Sequence, residues 1–241
     1  MRYSGTVTLR RLALLSVLIA LAAVPLARAT DAPLDRYRRA EGRGELVSVR
    51  GRAFEERRRP SAPDLPLDGT AVSILPHSEA WLLRLEAIKR GARDSMSAYR
   101  DAATAVRRSR EAYEKALLEA GGGDLAQGVT VDREGAFAFD GVPAGPWIVF
   151  ASRSTYISRT AQQRGPPSGS VPGRPPLPQS PFLPVDKLAG YHVVTYWIRA
   201  LTVSPGAGEP VELTDRNVWF TGVIESRDQP RLPDQPYNPP R

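Results

Sequence analysis

The chain reads as a mostly β protein, an antiparallel β-sandwich with a long α-helical insertion between its second and third strands and Pro-rich disordered segments. Three observations predict this. Val129–Val149 writes a strand, a tight turn, a second strand, a further turn and a third strand without interruption. Ser78–Ala120 holds no proline and is rich in Ala, Glu, Arg and Lys, which is helix composition. Proline, glycine and serine crowd Arg164–Pro181, and prolines recur from Gln229 onward, where too little apolar surface is available to fold.

Taken in order, residues 30–44 are polar and unpatterned and read as a disordered N-terminal arm. Val47–Ala53 supplies a first strand, and Arg57–Pro66 a loop in which proline is too frequent for a ladder. Leu67–Pro76 carries the Asp68-Gly69 turn and a second strand. After the insertion, apolar alternation on either side of Asp132-Arg133-Glu134-Gly135 is a hairpin signal, with Gly135 supplying the positive φ that a tight turn needs. Phe137 and Phe139 share one face of the next strand and point to the core, with Trp147 at the core or its rim. Residues 162–184 form a Pro-rich loop inside the domain, because β signal returns at Tyr191–Val203, Val211–Leu213 and Val218–Ile224. One domain therefore spans 45–226, and 227–241 is a disordered tail.

Asp132, Gly135, Phe137, Phe139, Gly141, Val142, Pro143 and Gly145 stand in the pattern Asp-x-x-Gly-x-Phe-x-Phe-x-Gly-Val-Pro-x-Gly. That pattern resembles the carboxypeptidase regulatory-like domain, a transthyretin-like (prealbumin-like) β-sandwich. Val47–Ala53 and Leu67–Pro76 are similar to that family's first two strands. The resemblance covers about half of the chain left after the leader and implies a binding or spacer module with no catalytic residues to carry over. Such a domain needs only a short connection where this chain has Ser78–Ala120.

Within that insertion, Trp81, Leu85, Ile88, Ala92, Tyr99, Ala102, Val106, Tyr113 and Ala116 step by three, four or seven. One apolar stripe thus runs its full length. About forty helical residues would extend about 60 Å, against about 20 Å for an ordinary strand, so something besides the sandwich must cover part of the stripe. Three arrangements remain open: an antiparallel helix pair broken at Gly91, a projecting helix that pairs with a second molecule, or packing on the sheet. Trp81, Leu85, Ile88, Tyr99, Val106 and Tyr113 are the candidate partner-binding residues.

The first 29 residues have the form of a secretory signal peptide: Arg2, Arg10 and Arg11, an apolar run Leu12–Leu26, then Ala27-Arg28-Ala29 with cleavage after Ala29. A fifteen-residue apolar run containing Pro25 is shorter than the roughly twenty residues a membrane span needs. Periplasmic or extracellular export is expected, with membrane association only if that segment stays uncleaved. Four arginines leave with the leader, which brings the net charge from +7 to +3. No nucleic-acid motif interleaves the basic residues, so nucleic acid is not an expected partner. The chain has no Cys, so no disulfide or His-Cys zinc cluster is possible.

Catalytic and cofactor signals are sparse. His77 and His192 are far apart, Asp132, Glu134 and Asp140 fit turn chemistry better than a calcium loop, and no Gly-x-Ser-x-Gly elbow or phosphate loop occurs. Two enzyme families share a prealbumin-like sandwich. Intradiol dioxygenases place their His ligands close together, and hydroxyisourate hydrolases end in Tyr-Arg-Gly-Ser; this chain has neither, ending Asn238-Pro239-Pro240-Arg241. The expectation is an exported, non-enzymatic binding module of the cell envelope with no cofactor or metal, whose partner is a protein or a carbohydrate. The alternative is a structural subunit that forms homo-oligomers through the inserted helix.

Overall fold

The computed structural model describes residues 32–57, 59, 63–158, 187–206 and 210–228. The leader and its cleavage site at Ala29, the 162–184 loop and the tail beyond Asp228 lie outside them. The described residues contain three α-helices, α1 (Leu34–Gly42), α2 (Glu79–Gly91) and α3 (Met96–Glu119). Nine strands accompany them: β1 (Leu46–Glu55), β2 (Leu65–Pro66), β3 (Ala71–Pro76), β4 (Gln127–Thr130), β5 (Ala136–Pro143), β6 (Gly145–Ser158), β7 (Lys187–Val203), β8 (Val211–Thr214) and β9 (Phe220–Asp228).

These strands make two sheets. The larger has the order β4-β3-β6-β7-β9 and is antiparallel throughout. In the smaller, β1 pairs antiparallel with β2 and β5 and parallel with β8. The sheets enclose a common core: Val49, Ala53, Phe137, Phe139 and Leu213 from the smaller meet Val72, Ile74, Trp147, Val149 and Trp197 from the larger. Phe137, Phe139 and Trp147 are all buried there, as their strand phase predicts.

The turn chemistry is as expected but the pairing is not. Gly135 has φ +81°, and the Asp132 carboxylate accepts from the N–H groups of Glu134 and Ala136 at 3.0 and 2.7 Å. Yet β4 pairs with β3 in the larger sheet while β5 pairs with β1 in the smaller. The turn is therefore a crossover between sheets, and no β4–β5 hairpin ladder forms. A Cβ at Gly135 would lie 2.9 Å from the Ala53 carbonyl, so the close approach of β1 selects glycine as firmly as the positive φ does.

The helical segment follows β3, because the short β2 adds a strand that the proline-rich loop conceals. It breaks after Gly91. Ser78 caps α2 by accepting from Trp81 N at 3.1 Å, and Ser95 caps α3 by accepting from Ala98 N at 3.0 Å. Gly121, at φ +78°, closes α3: its N–H bonds to Leu118 O, and that of Gly122 to Leu117 O, the paired bonds of a Schellman stop. Both helices lie on the outer face of the larger sheet. Trp81 stacks on Tyr113 with ring centres 4.5 Å apart, and Leu85, Val106, Tyr113 and Leu117 share a second core with Leu75, Ile148, Phe150, Val194 and Tyr196. Helix pairing and sheet packing thus occur together, on strands of 14 and 17 residues that exceed the length assumed from sequence.

Residues 34–42 also depart from expectation: the polar arm is a helix. Tyr37 is fully buried, its hydroxyl donates to Pro146 O and accepts from His77 N at 3.0 Å, and its ring meets Trp147 edge-on at 4.8 Å. Arg38 adds two bonds of 2.6 Å to the Asp124 carboxylate and one of 2.9 Å to Gly121 O. The tail assignment is corrected at its start, since Arg227 and Asp228 close β9. No described helix is long and apolar enough to cross a membrane.

Candidate functional site

Of the six residues expected to meet a partner, Trp81, Leu85, Val106 and Tyr113 are no more than 4% exposed, and Ile88 and Tyr99 are half-buried. Their cover comes from their own chain. Tyr99 donates to Thr221 O at 3.2 Å and meets Phe220 edge-on, while Ile88 packs at the margin of the helix-side core. The stripe is a folding surface, which corrects the expectation of a partner-binding or oligomerising seam. Burial against β6, β7 and β9 satisfies the apolar demand that sequence alone left open.

What remains open on this face is a groove where the helices stop covering the sheet. Its volume is about 440 Å³. β6 explains its position. Trp147-Ile148-Val149-Phe150-Ala151 is apolar on both faces because a sheet lies on one side and helices on the other; at Ser152 the helix-side residues turn polar. Ser152, Ser154 and Tyr156 follow on that face of β6, with His192 and Val194 beside them on β7.

The wall is built on α3. Arg107 and Glu111, and Arg110 and Glu114, are (i, i+4) pairs with N–O distances of 3.7 and 2.8 Å. Arg110 is fixed from three directions: Nε donates to Glu114, Nη2 donates to Ser73 Oγ at 3.0 Å, and the guanidinium sits 5.3 Å from the centre of the Phe150 ring. Tyr196 forms part of the floor, and its hydroxyl donates to Ala103 O at 2.9 Å. Burial raises the Tyr196 pKa, against the opposing pull of Arg107 and Arg110, so the hydroxyl stays a neutral donor.

At the open end, Ser154 Oγ lies 3.2 Å from His192 Nδ1, and the His192 ring is 5.0 Å from that of Tyr156. Tyr156 lies just outside the groove lining, next on the same face of β6, and is 48% exposed. His77, the other histidine, is elsewhere: its N–H contacts Tyr37 and Pro146 at the α1 junction. Among the described residues no group of three or more His, Asp or Glu could hold a metal ion.

The groove thus combines one firmly held ion pair, Arg110–Glu114, a second, solvent-exposed pair, Arg107–Glu111, two serines, a histidine and aromatic surface. Its two arginines are balanced by two glutamates, so it presents directed donors and acceptors without a strong field of one sign. Sequence reasoning missed these residues because it sought the stripe. The usable signals were the apolar-to-polar switch at Ser152 and the paired Arg-x-x-x-Glu spacing beginning at Arg107 and Arg110.

No family model and no curated protein matches the sequence, so the carboxypeptidase regulatory-like resemblance rests on its motif residues alone. Two solved structures are similar in part. One is a Pseudomonas aeruginosa protein provisionally described as carbohydrate-binding, with 13% identity, covering 70% of this chain and 88% of that one at a TM-score of 0.32. The other is the pilus backbone of Streptococcus pneumoniae, with 14% identity, covering 43% of this chain and 30% of that one at a TM-score of 0.19.

Proposed function

We propose that the protein is an exported, non-enzymatic binding module on a transthyretin-like frame that takes a neutral carbohydrate of the cell envelope in the groove between α3 and β6–β7. The supporting observation is the groove's charge-balanced, pre-positioned polar wall beside exposed aromatic surface. A polyhydroxylated ligand needs several directed hydrogen bonds and an apolar face for its ring, and it gains nothing from net charge. Arg110, held by Glu114, Ser73 and the Phe150 ring, loses little side-chain freedom on binding, which lowers the cost of association. The signal-peptide pattern of the first 29 residues supports a site of action outside the cytoplasm, with a mature chain that would begin at Thr30; N-terminal sequencing of exported protein that finds Met1 in place opposes that part of the proposal.

Calorimetric titration with a panel of neutral oligosaccharides tests the assignment. Saturable binding is expected for at least one, and His192→Ala and Tyr156→Ala should each weaken it about tenfold or more while leaving the melting temperature unchanged. Binding that both variants retain, or the absence of binding across the panel, would remove the proposal.

A further inference from the structure

β7 runs from Lys187 to Val203, but β9 pairs with it only as far as Tyr196. From Arg199 to Val203 the strand has β6 on one side and, among the described residues, no strand on the other. The vacant side opens into a second cleft of about 560 Å³, bounded across the gap by β1 and the start of β8. Val49, Val203 and Val211 form the margin of the central core here, buried at 8%, 5% and 9% exposed, with Leu201 partly buried beside them. Arg199 is on the same face of β7 as Leu201 and Val203, is exposed, and makes no ion pair or side-chain hydrogen bond among the described residues.

We infer that this edge takes an extended peptide strand from a partner protein, one that places an acidic side chain against Arg199 and apolar side chains beside Leu201 and Val203. Backbone N–H and C=O groups on the vacant side of β7 would pair with the added strand, which would continue the larger sheet where β9 leaves it. Side chains two residues apart share a face, so the partner's apolar residues would extend this margin of the core beside Leu201 while its carboxylate meets the guanidinium. Glu212 lines the same cleft as Arg199 and Arg50, so the cleft keeps a cationic excess for an acidic strand to neutralise. The site is separate from the groove on α3.

The probe is a monomeric fluorescein-labelled peptide, Val-Thr-Val-Thr-Glu-Thr-Val-Thr-Val, which presents the same pattern in either strand direction. Fluorescence anisotropy with the full mature chain should show saturable binding, and replacing the central Glu by Lys should weaken it about tenfold. Arg199→Glu is a surface change that leaves the core intact, and it should reverse the preference between the two peptides. Hydrogen exchange should slow at 199–203 when the Glu peptide is bound. Absence of saturable binding up to about 1 mM, or a preference for the Glu peptide that survives Arg199→Glu, overturns the inference. It is equally overturned if the chain alone forms a dimer that protects this edge, because a second copy would then be its occupant.

Discussion

The two faces of β6 are closed in different ways. The inner face meets the smaller sheet, and Trp147, Val149 and Ala151 are fully buried against it. On the outer face α2 and α3 seal Ile148 and Phe150 and then leave Ser152 and Ser154 beside a groove. One strand therefore contributes core and site, and the change occurs at a single residue. Both covers end near the same point, since past Ala151 the smaller sheet leaves Arg153 half-buried and Thr155 and Ile157 exposed, but only the helical cover leaves a wall, α3, standing beside the strand. Function has room where the helical cover ends.

The strongest way to break this contrast is to charge the helix-side seam. Val106 is fully buried, so Val106→Glu places a carboxylate among apolar neighbours and should cost about 4 kcal/mol or more, unfolding the helices and the larger sheet together. Survival of the sandwich without its helices, seen by hydrogen exchange, would show that the two layers are independent. A pure cavity on the inner side should cost slightly less: Phe139→Ala is expected to lose about 3 to 5 kcal/mol in chemical denaturation, because Phe139 is 1% exposed between the sheets.

Smaller effects belong to the α1 junction, where the hydroxyl of Tyr37 bridges Pro146 O and His77 N. Tyr37→Phe should cost about 1 to 2 kcal/mol, since it leaves those partners short of a bond. Burial raises the Tyr37 pKa, so its folded-state stabilisation is complete below the usual tyrosine range near 10 and is lost as pH rises toward the higher folded value. Stability should fall in alkali, and less steeply in the Phe variant; equal alkaline slopes would place that sensitivity elsewhere, for instance at Tyr196. Arg38→Ala removes a pair whose side chains are 40% and 57% exposed, and should cost under about 1 kcal/mol.

The same contrast explains what could be read beforehand. Strand phase at Phe137 and Phe139, the serine cap at Ser78 and the glycine stop after Glu119 are local, and each follows from residue type and spacing. Sheet membership is not local: Asp132–Gly135 has hairpin turn chemistry, yet its strands part into opposite sheets because β3 and β1 offer separate edges. Helix α1 escaped notice because, at nine residues, its chief anchor is Tyr37, and so short a helix draws its stability from tertiary contact. The stripe from Trp81 to Tyr113 was legible as apolar, but whether its cover was the same chain or another depended on strand lengths that the sequence pattern understated. The groove lies where the stripe's cover runs out, so it inherited that uncertainty.

Amide chemical-shift mapping during titration with a binding oligosaccharide tests the central claim most directly. The account predicts changes concentrated at Ser152, Ser154, His192 and the Arg107–Glu114 turn of α3, with Val149, Ala151 and Phe139 unmoved. Changes centred on the smaller sheet, with the Ser152–His192 region silent, would contradict it.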